Sequence, residues 1–175
     1  MKPSTIIDSL ASIAVVIGVP LFFAKEVLDT QRERRQNALH LAEGMQAEQF
    51  SNNRQILLRP WLREDLRALQ QTNPSRDVLD KLVIDIIETD SSRAITSALY
   101  DTALFFRHAQ ACIDSHVCDN DLTTELISPT AFEIYRLYAP AYNAMADKYR
   151  LTDIGREIKA FAEAAEISGK AGNSN

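Results

Sequence analysis

The sequence predicts an all-α protein: an N-terminal transmembrane helix continuing into a stalk, then a compact bundle of about five helices. Three observations carry this expectation. From Ser9 to Ala24 the chain holds no charged residue. Only five Gly and six Pro occur among 175 residues, while helix formers dominate and no apolar/polar alternation of strand length appears. Apolar residues recur instead near the helical period of about 3.6.

The first element runs from Thr5 to Ala24. About twenty residues at about 1.5 Å each span roughly the 30 Å hydrocarbon core of a bilayer. A cleaved signal peptide would want a basic start and a small-x-small cleavage site, but Lys2 is the sole basic side chain before the run, which ends Leu-Phe-Phe-Ala-Lys-Glu. A buried helix of a globular domain usually carries a polar stripe, and Ile13 to Phe23 has none. Asp8 falls within one turn of the outer end, where a carboxylate reaches headgroups and water. Pro20 predicts a kink, eased by Gly18.

Lys25, Arg32, Arg34 and Arg35 follow the span, against Lys2 before it. By the positive-inside rule the rest of the chain is expected in the cytoplasm, although Glu26, Asp29 and Glu33 sit among those bases. The expected organisation is an anchor over 1–25, a juxtamembrane stalk over 26–58, a bundle over 59–168 and a disordered tail over 169–175. The net charge of -5 argues against nucleic acid as a partner.

Asp29 to Asn37 is continuously polar and therefore solvated, and a broken stripe follows at Leu39, Ala42, Gln46, Phe50, Asn53 and Leu57. This pattern reads as one stalk helix. A coiled-coil dimer is the alternative, but the seam lacks sustained apolar positions. Pro60 marks the first position of a short helix with Trp61, Leu62, Leu66 and Leu69 inward, stopped by Asn73-Pro74. Asn73 is the expected cap of the next helix, which buries Val78, Leu79, Leu82, Val83 and Ile86. Asp77, Asp80, Asp85 and Glu88 crowd that helix and read as a solvated face rather than a metal cluster.

The clearest periodicity follows. Ile95, Leu99, Thr102, Phe106, Ala109 and Ile113 form one stripe, widened by Ala98, Phe105 and Cys112. After a loop at Ser115 to Asn120, a short helix is expected over Asp121 to Ile127. Ser128-Pro129 then has the cap-then-proline order of a fresh helix start. The new helix carries Phe132, Tyr135, Tyr138, Tyr142, Met145 and Tyr149, bent at Pro140. A last helix from Thr152 to Ser168 buries Ile154, Ile158, Phe161 and Ala165, with Gly169 as its stop.

One constellation carries possible chemistry. Cys112, His116 and Cys118 lie within seven residues, a spacing open to three zinc ligands or a thiol pair. A fourth ligand would have to be Asp119, Asp121 or the distant His108, because the chain has no further Cys. On a cytosolic body, Cys112 reads as a small buried hydrophobe and Cys118 as a loop thiol. On a periplasmic body, a Cys112–Cys118 disulfide clamping the loop becomes the leading reading. His40 has no partner near in sequence that would make it a base.

Catalytic templates are missing. There is no phosphate-cradling glycine loop, no His-Glu-x-x-His, no di-iron Glu-x-x-His pair and no Gly-x-Ser-x-Gly elbow. No enzyme activity and no cofactor are expected. The leading functional expectation is a membrane-tethered helical interaction or scaffolding module, binding another protein and open to self-association. Trp61, Tyr135, Tyr138 and Tyr142 are the candidate partner surface, with core packing as the ordinary alternative for each. The second expectation is a thiol- or metal-responsive membrane-anchored sensor using Cys112, His116 and Cys118. A membrane effector acting through its anchor alone is a third.

The order of a short N-terminal span, a polar exit helix leading to Asn53-Arg54-Gln55-Ile56-Leu57-Leu58, Trp61-Leu62-Arg63 and an aromatic helical tail resembles small bacterial single-pass membrane-anchored helical proteins of a domain family of unknown function. The resemblance is one of layout. It implies the cell inner membrane and the helical class, and it brings no catalytic or binding residues with it.

Overall fold

The computed structural model describes residues 25–62, 75–151 and 153–172. Thr5–Ala24, Leu66, Leu69, Asn73 and the end of the expected tail lie outside them. Among the described residues all regular structure is helical, and no helix is long and apolar enough to cross a membrane.

Helix α1 covers 25–44. Residues 25–33 are exposed, as the polar run demands, and Ala38 is the first fully buried side chain. Leu39, one residue and about 100° further round the helix, stays 48% exposed. The single stalk helix read from the sequence is two helices, because the chain turns at 45–47 through hydrogen bonds from Met45 N to Ala42 O and from Gln46 N to Glu43 O. Gly44 lies where an added Cβ would stand 3.4 Å from the Phe105 ring, so the turn is drawn close against the body.

Helix α2 (Glu48–Leu58) buries Phe50, Asn53 and Leu57 and packs along α4 (Ala94–Asp114). Phe50, Asn53 and Leu57 of the stripe expected of a stalk therefore belong to the bundle core, whereas Leu39 and Gln46 are exposed. A 3-10 turn, Arg59–Leu62, continues directly from α2, so Pro60 sits inside a tightened helix end rather than opening a new helix. Helix α3 (Arg76–Thr89) follows with Ser75 at its N-cap. Its inward stripe centres on Val83, about 140° round the helix from Val78, and Val78 is accordingly 46% exposed. Asp77, Asp85 and Glu88 are exposed, and Asp80 pairs with Arg76 at 3.0 Å.

Helix α4 matches its expected stripe, with Ile95, Ala98, Leu99, Thr102, Phe106 and Ala109 all buried. Asp90 fastens its start by accepting from the N–H of Ile95 at 2.8 Å. Burial pushes the Asp90 carboxyl up, but hydrogen bonds from Ser92 and Ile95 outweigh this and hold it below the usual range.

Helix α5 (Asn120–Tyr149) is the principal correction to the expected elements. No restart occurs at Ser128-Pro129, and the helix runs through both Pro129 and Pro140. Each interior proline costs about 3 kcal/mol. Against that, Ile127, Ile134, Tyr138, Tyr142 and Met145 are buried, each worth about 1.5–3 kcal/mol. Burial wins, and the local stop signal is overridden. Ser128 is itself buried, and its hydroxyl has no hydrogen-bond partner among the described residues.

Helix α6 (Arg156–Gly172) packs most extensively on α5 and also on α4, burying Ile158, Phe161 and Ala162. It starts later than expected and continues past Gly169. The core is a single aromatic and aliphatic cluster in which Phe106 meets Phe50, Phe105 and Phe161.

Candidate functional site

Cys112 lies in the last turn of α4, which ends at Asp114, and Cys118 follows the turn at 115–117. The two form a disulfide with Cα atoms 5.2 Å apart, so the expectation of two free thiols is corrected. The bridge folds the chain back sharply, with the N–H groups of Val117 and Cys118 both donating to Cys112 O at 3.0 and 3.1 Å. His116 takes a left-handed conformation at φ 57° and is exposed. With both sulfurs bonded to each other, the zinc set of Cys112, His116 and Cys118 loses two of its three ligands. Among the described residues no group of three His, Cys, Asp or Glu is arranged to hold a metal.

The bridged loop docks on α1. Asp119 N donates to Arg34 O at 3.1 Å, Asn37 Nδ2 donates to Val117 O at 3.1 Å, and Arg35 faces Asp119 at 3.9 Å. Asp119 also caps α5 by accepting from Leu122 N at 2.9 Å. One short segment thus ties α1, α4 and α5 together, with Ala38 and Cys118 buried at the junction. His40, read as partnerless, pairs in the open with Glu43 at 3.1 Å.

Removal of the bridge in a Cys112→Ser/Cys118→Ser variant is expected to cost about 2 kcal/mol through the entropy of a short open loop. Overall helicity should survive, and hydrogen exchange at residues 34–38 should rise first. Equal protection of those amides in both proteins would show that the bridge does not hold α1.

The aromatic residues proposed as a surface divide. Tyr138 and Tyr142 are core groups, each 1% exposed. Tyr138 donates to Leu57 O at 2.5 Å and accepts from Trp61 Nε1 at 3.1 Å. Pro60 has no N–H to offer that carbonyl in the 3-10 turn, so the Tyr138 hydroxyl supplies the missing donor. Tyr142 donates to Leu99 O at 3.3 Å and stacks on Tyr135. Trp61 and Tyr135 remain half-buried. Trp61 opens onto a groove of about 570 Å³ with Leu79, Phe132 and Leu137, edged by Arg76 and Arg136.

Burial pushes the Tyr138 phenol up to about 12, against a smaller opposing effect of the Trp61 hydrogen bond, and drives Tyr142 up as well. In the unfolded chain both ionise near 10. Stability is therefore expected to hold below pH 10 and to fall between pH 10 and 12 by about 1.4 kcal/mol per pH unit for each such tyrosine. Denaturant titrations across that interval should show a shallower fall for Tyr138→Phe. An unchanged pH slope in the variant would remove Tyr138 as a source.

A second concavity lies where α4 meets the turn between α5 and α6, and sequence reasoning missed it. Tyr100, Leu104 and Arg107 form one wall, and Arg150, Ile154 and Glu157 belong to the other. Its residues come from one face of α4, from the turn after α5 and from the first turn of α6, and the three segments share no pattern in the sequence. The available sequence signal was the departure of Arg150 from the glycine that usually follows a helix.

The chain matches no protein-family model, and no curated protein and no solved structure shows a detectable match.

Proposed function

We propose that this chain is a membrane-tethered helical interaction module whose body lies on the oxidising side of the membrane. The observation that carries the tether is the start of α1. Its residues 25–33 extend in helix, exposed throughout and polar from Asp29 on, between the apolar Thr5–Ala24 segment of the sequence and the first docked residues at Arg34 to Ala38. A spacer of this kind is useful to a tethered body and has no packing role in a free one. The disulfide supports the side, because such bonds persist in oxidising compartments and are rare in the cytosol. It outweighs the modest charge bias, which Glu26, Asp29 and Glu33 dilute. Another protein is the proposed partner, meeting the groove lined by Trp61, Phe132 and Leu137; tethering raises the effective concentration of that groove near other membrane components.

The test is topology with thiol state. Reporters fused after Asn175 should be active only outside the cytosol, and both cysteines should resist alkylation until reduced. A cytosolic reporter with freely alkylated thiols overturns the side, and release of the chain from membranes by alkaline carbonate overturns the tether.

The docking of the bridged loop on α1 favours one second reading, a thiol-responsive sensor in which reduction loosens Cys112–Cys118 and with it the seat of α1. An unchanged seat of α1 in the wild type before and after reduction, read by hydrogen exchange at residues 34–38, would remove it.

A further inference from the structure

We infer that the concavity between α4 and the α5–α6 turn binds a small organic carboxylate with an aromatic or apolar body. Its volume is about 250 Å³. That falls just under the roughly 300–1,000 Å³ of common ligand clefts and equals the space of about eight waters at ~30 Å³ each. The occupant is therefore a small molecule of roughly ten non-hydrogen atoms.

Charge selects its sign. The two acids of the lining, Asp153 and Glu157, are both answered by Arg156, at 3.3 and 2.9 Å. The two guanidinium groups of the lining, Arg107 and Arg150, have neither an ion-pair nor a hydrogen-bond partner among the described residues. Two arginines without an ion-pair partner among the described residues, lining one cavity in a chain of net charge -5, suit an anion. Planar guanidinium groups match a carboxylate in paired hydrogen bonds.

The apolar part is equally marked. Tyr100 is 43% and Leu151 40% exposed at this cavity, beside Ala103, Leu104 and Ile154. A ring laid against them would cover side chains that the fold itself leaves open.

The backbone adds an independent reason to look at Arg150. It occupies the left-handed position after α5, at φ 55°, with Leu151 N closing back on Ala146 O at 3.1 Å. Glycine is the residue that fits this position without strain. An arginine there is held against the backbone's preference, and its side chain is the part that a glycine would lack.

This separates binding from folding in the test. Calorimetric titration of the full-length chain would use phenylacetate, with phenylacetamide as the neutral isostere. Saturable binding of phenylacetate is expected, at least tenfold tighter than the amide. Arg107→Ala and Arg150→Gly should each weaken it at least tenfold, while Arg150→Gly melts at or above the wild-type temperature. Absence of saturable phenylacetate binding, equal affinity for the amide, or undiminished affinity in Arg150→Gly would each overturn the proposal.

Discussion

Phe106→Ala is expected to destabilise the protein by about 3–5 kcal/mol. Phe106 is fully buried in α4, and its ring lies 5.4 to 6.4 Å from those of Phe105, Phe161 and Phe50. The three neighbours come from α4, α6 and α2, so the truncated site cannot be refilled by one helix sliding inward. The loss combines the transfer energy of the ring with dispersion contacts stranded around a cavity. Domains of this size have about 5–15 kcal/mol in total, which makes the effect a large fraction of the whole. Urea denaturation followed by far-ultraviolet circular dichroism measures it. A loss under about 1 kcal/mol would mean that α2 and α6 do not share a core across α4.

Gly155→Ala is expected to cost about 2–5 kcal/mol, an effect out of proportion to one methyl group. Gly155 has φ +84°, and an added Cβ would stand 2.9 Å from both Cβ and Cγ of Tyr142. Tyr142 cannot yield, since it is 1% exposed and its hydroxyl is bound to Leu99 O. The turn between α5 and α6 would have to move away, taking the start of α6 with it. Arg150, only five residues earlier, makes the contrast. It shares the left-handed backbone but is exposed at the rim of a concavity, so a side chain there costs strain without collision. Thermal unfolding of Gly155→Ala and Arg150→Gly should move in opposite directions, and parallel shifts would count against this account.

Where the sequence was read well, one physical cause sufficed. The stripe from Ile95 to Ala109 is both regular and buried, so periodicity alone places α4. Reading failed where local and tertiary preferences disagree. Ser128-Pro129 has the order of a helix start, but the burial of Ile127 on one side and Ala131 on the other keeps the chain helical through it. The turn at 45–47 carries only Gly44 as a local mark, and Gly44 lies against the Phe105 ring some sixty residues away. Tyr138 and Tyr142 were legible as a helical stripe, but which of the aromatics would be covered depends on Leu57 and Leu99, on other helices. The cysteine spacing permitted a bridge, and the expected compartment argued against it. For the concavity beside α4 the one local mark is Arg150 at a helix end, because Arg107 and Arg150 come to line the same cavity only when α4 packs against the α5–α6 turn.

On the proposed tether, α1, one unbroken helix from residue 25 to its seat at Arg34 to Ala38, would fix an azimuth as well as a distance. Each residue of an α-helix advances about 1.5 Å and turns about 100°. A single alanine inserted among residues 26–33 would hardly change the stand-off of the bundle, yet it would swing the Trp61 groove more than a quarter-turn about the helix axis. Four inserted residues would nearly restore the original facing at about 6 Å greater height. The exposed polar stretch is in this sense a phase angle written in residue number, and its length decides which face of the bundle looks toward a neighbour.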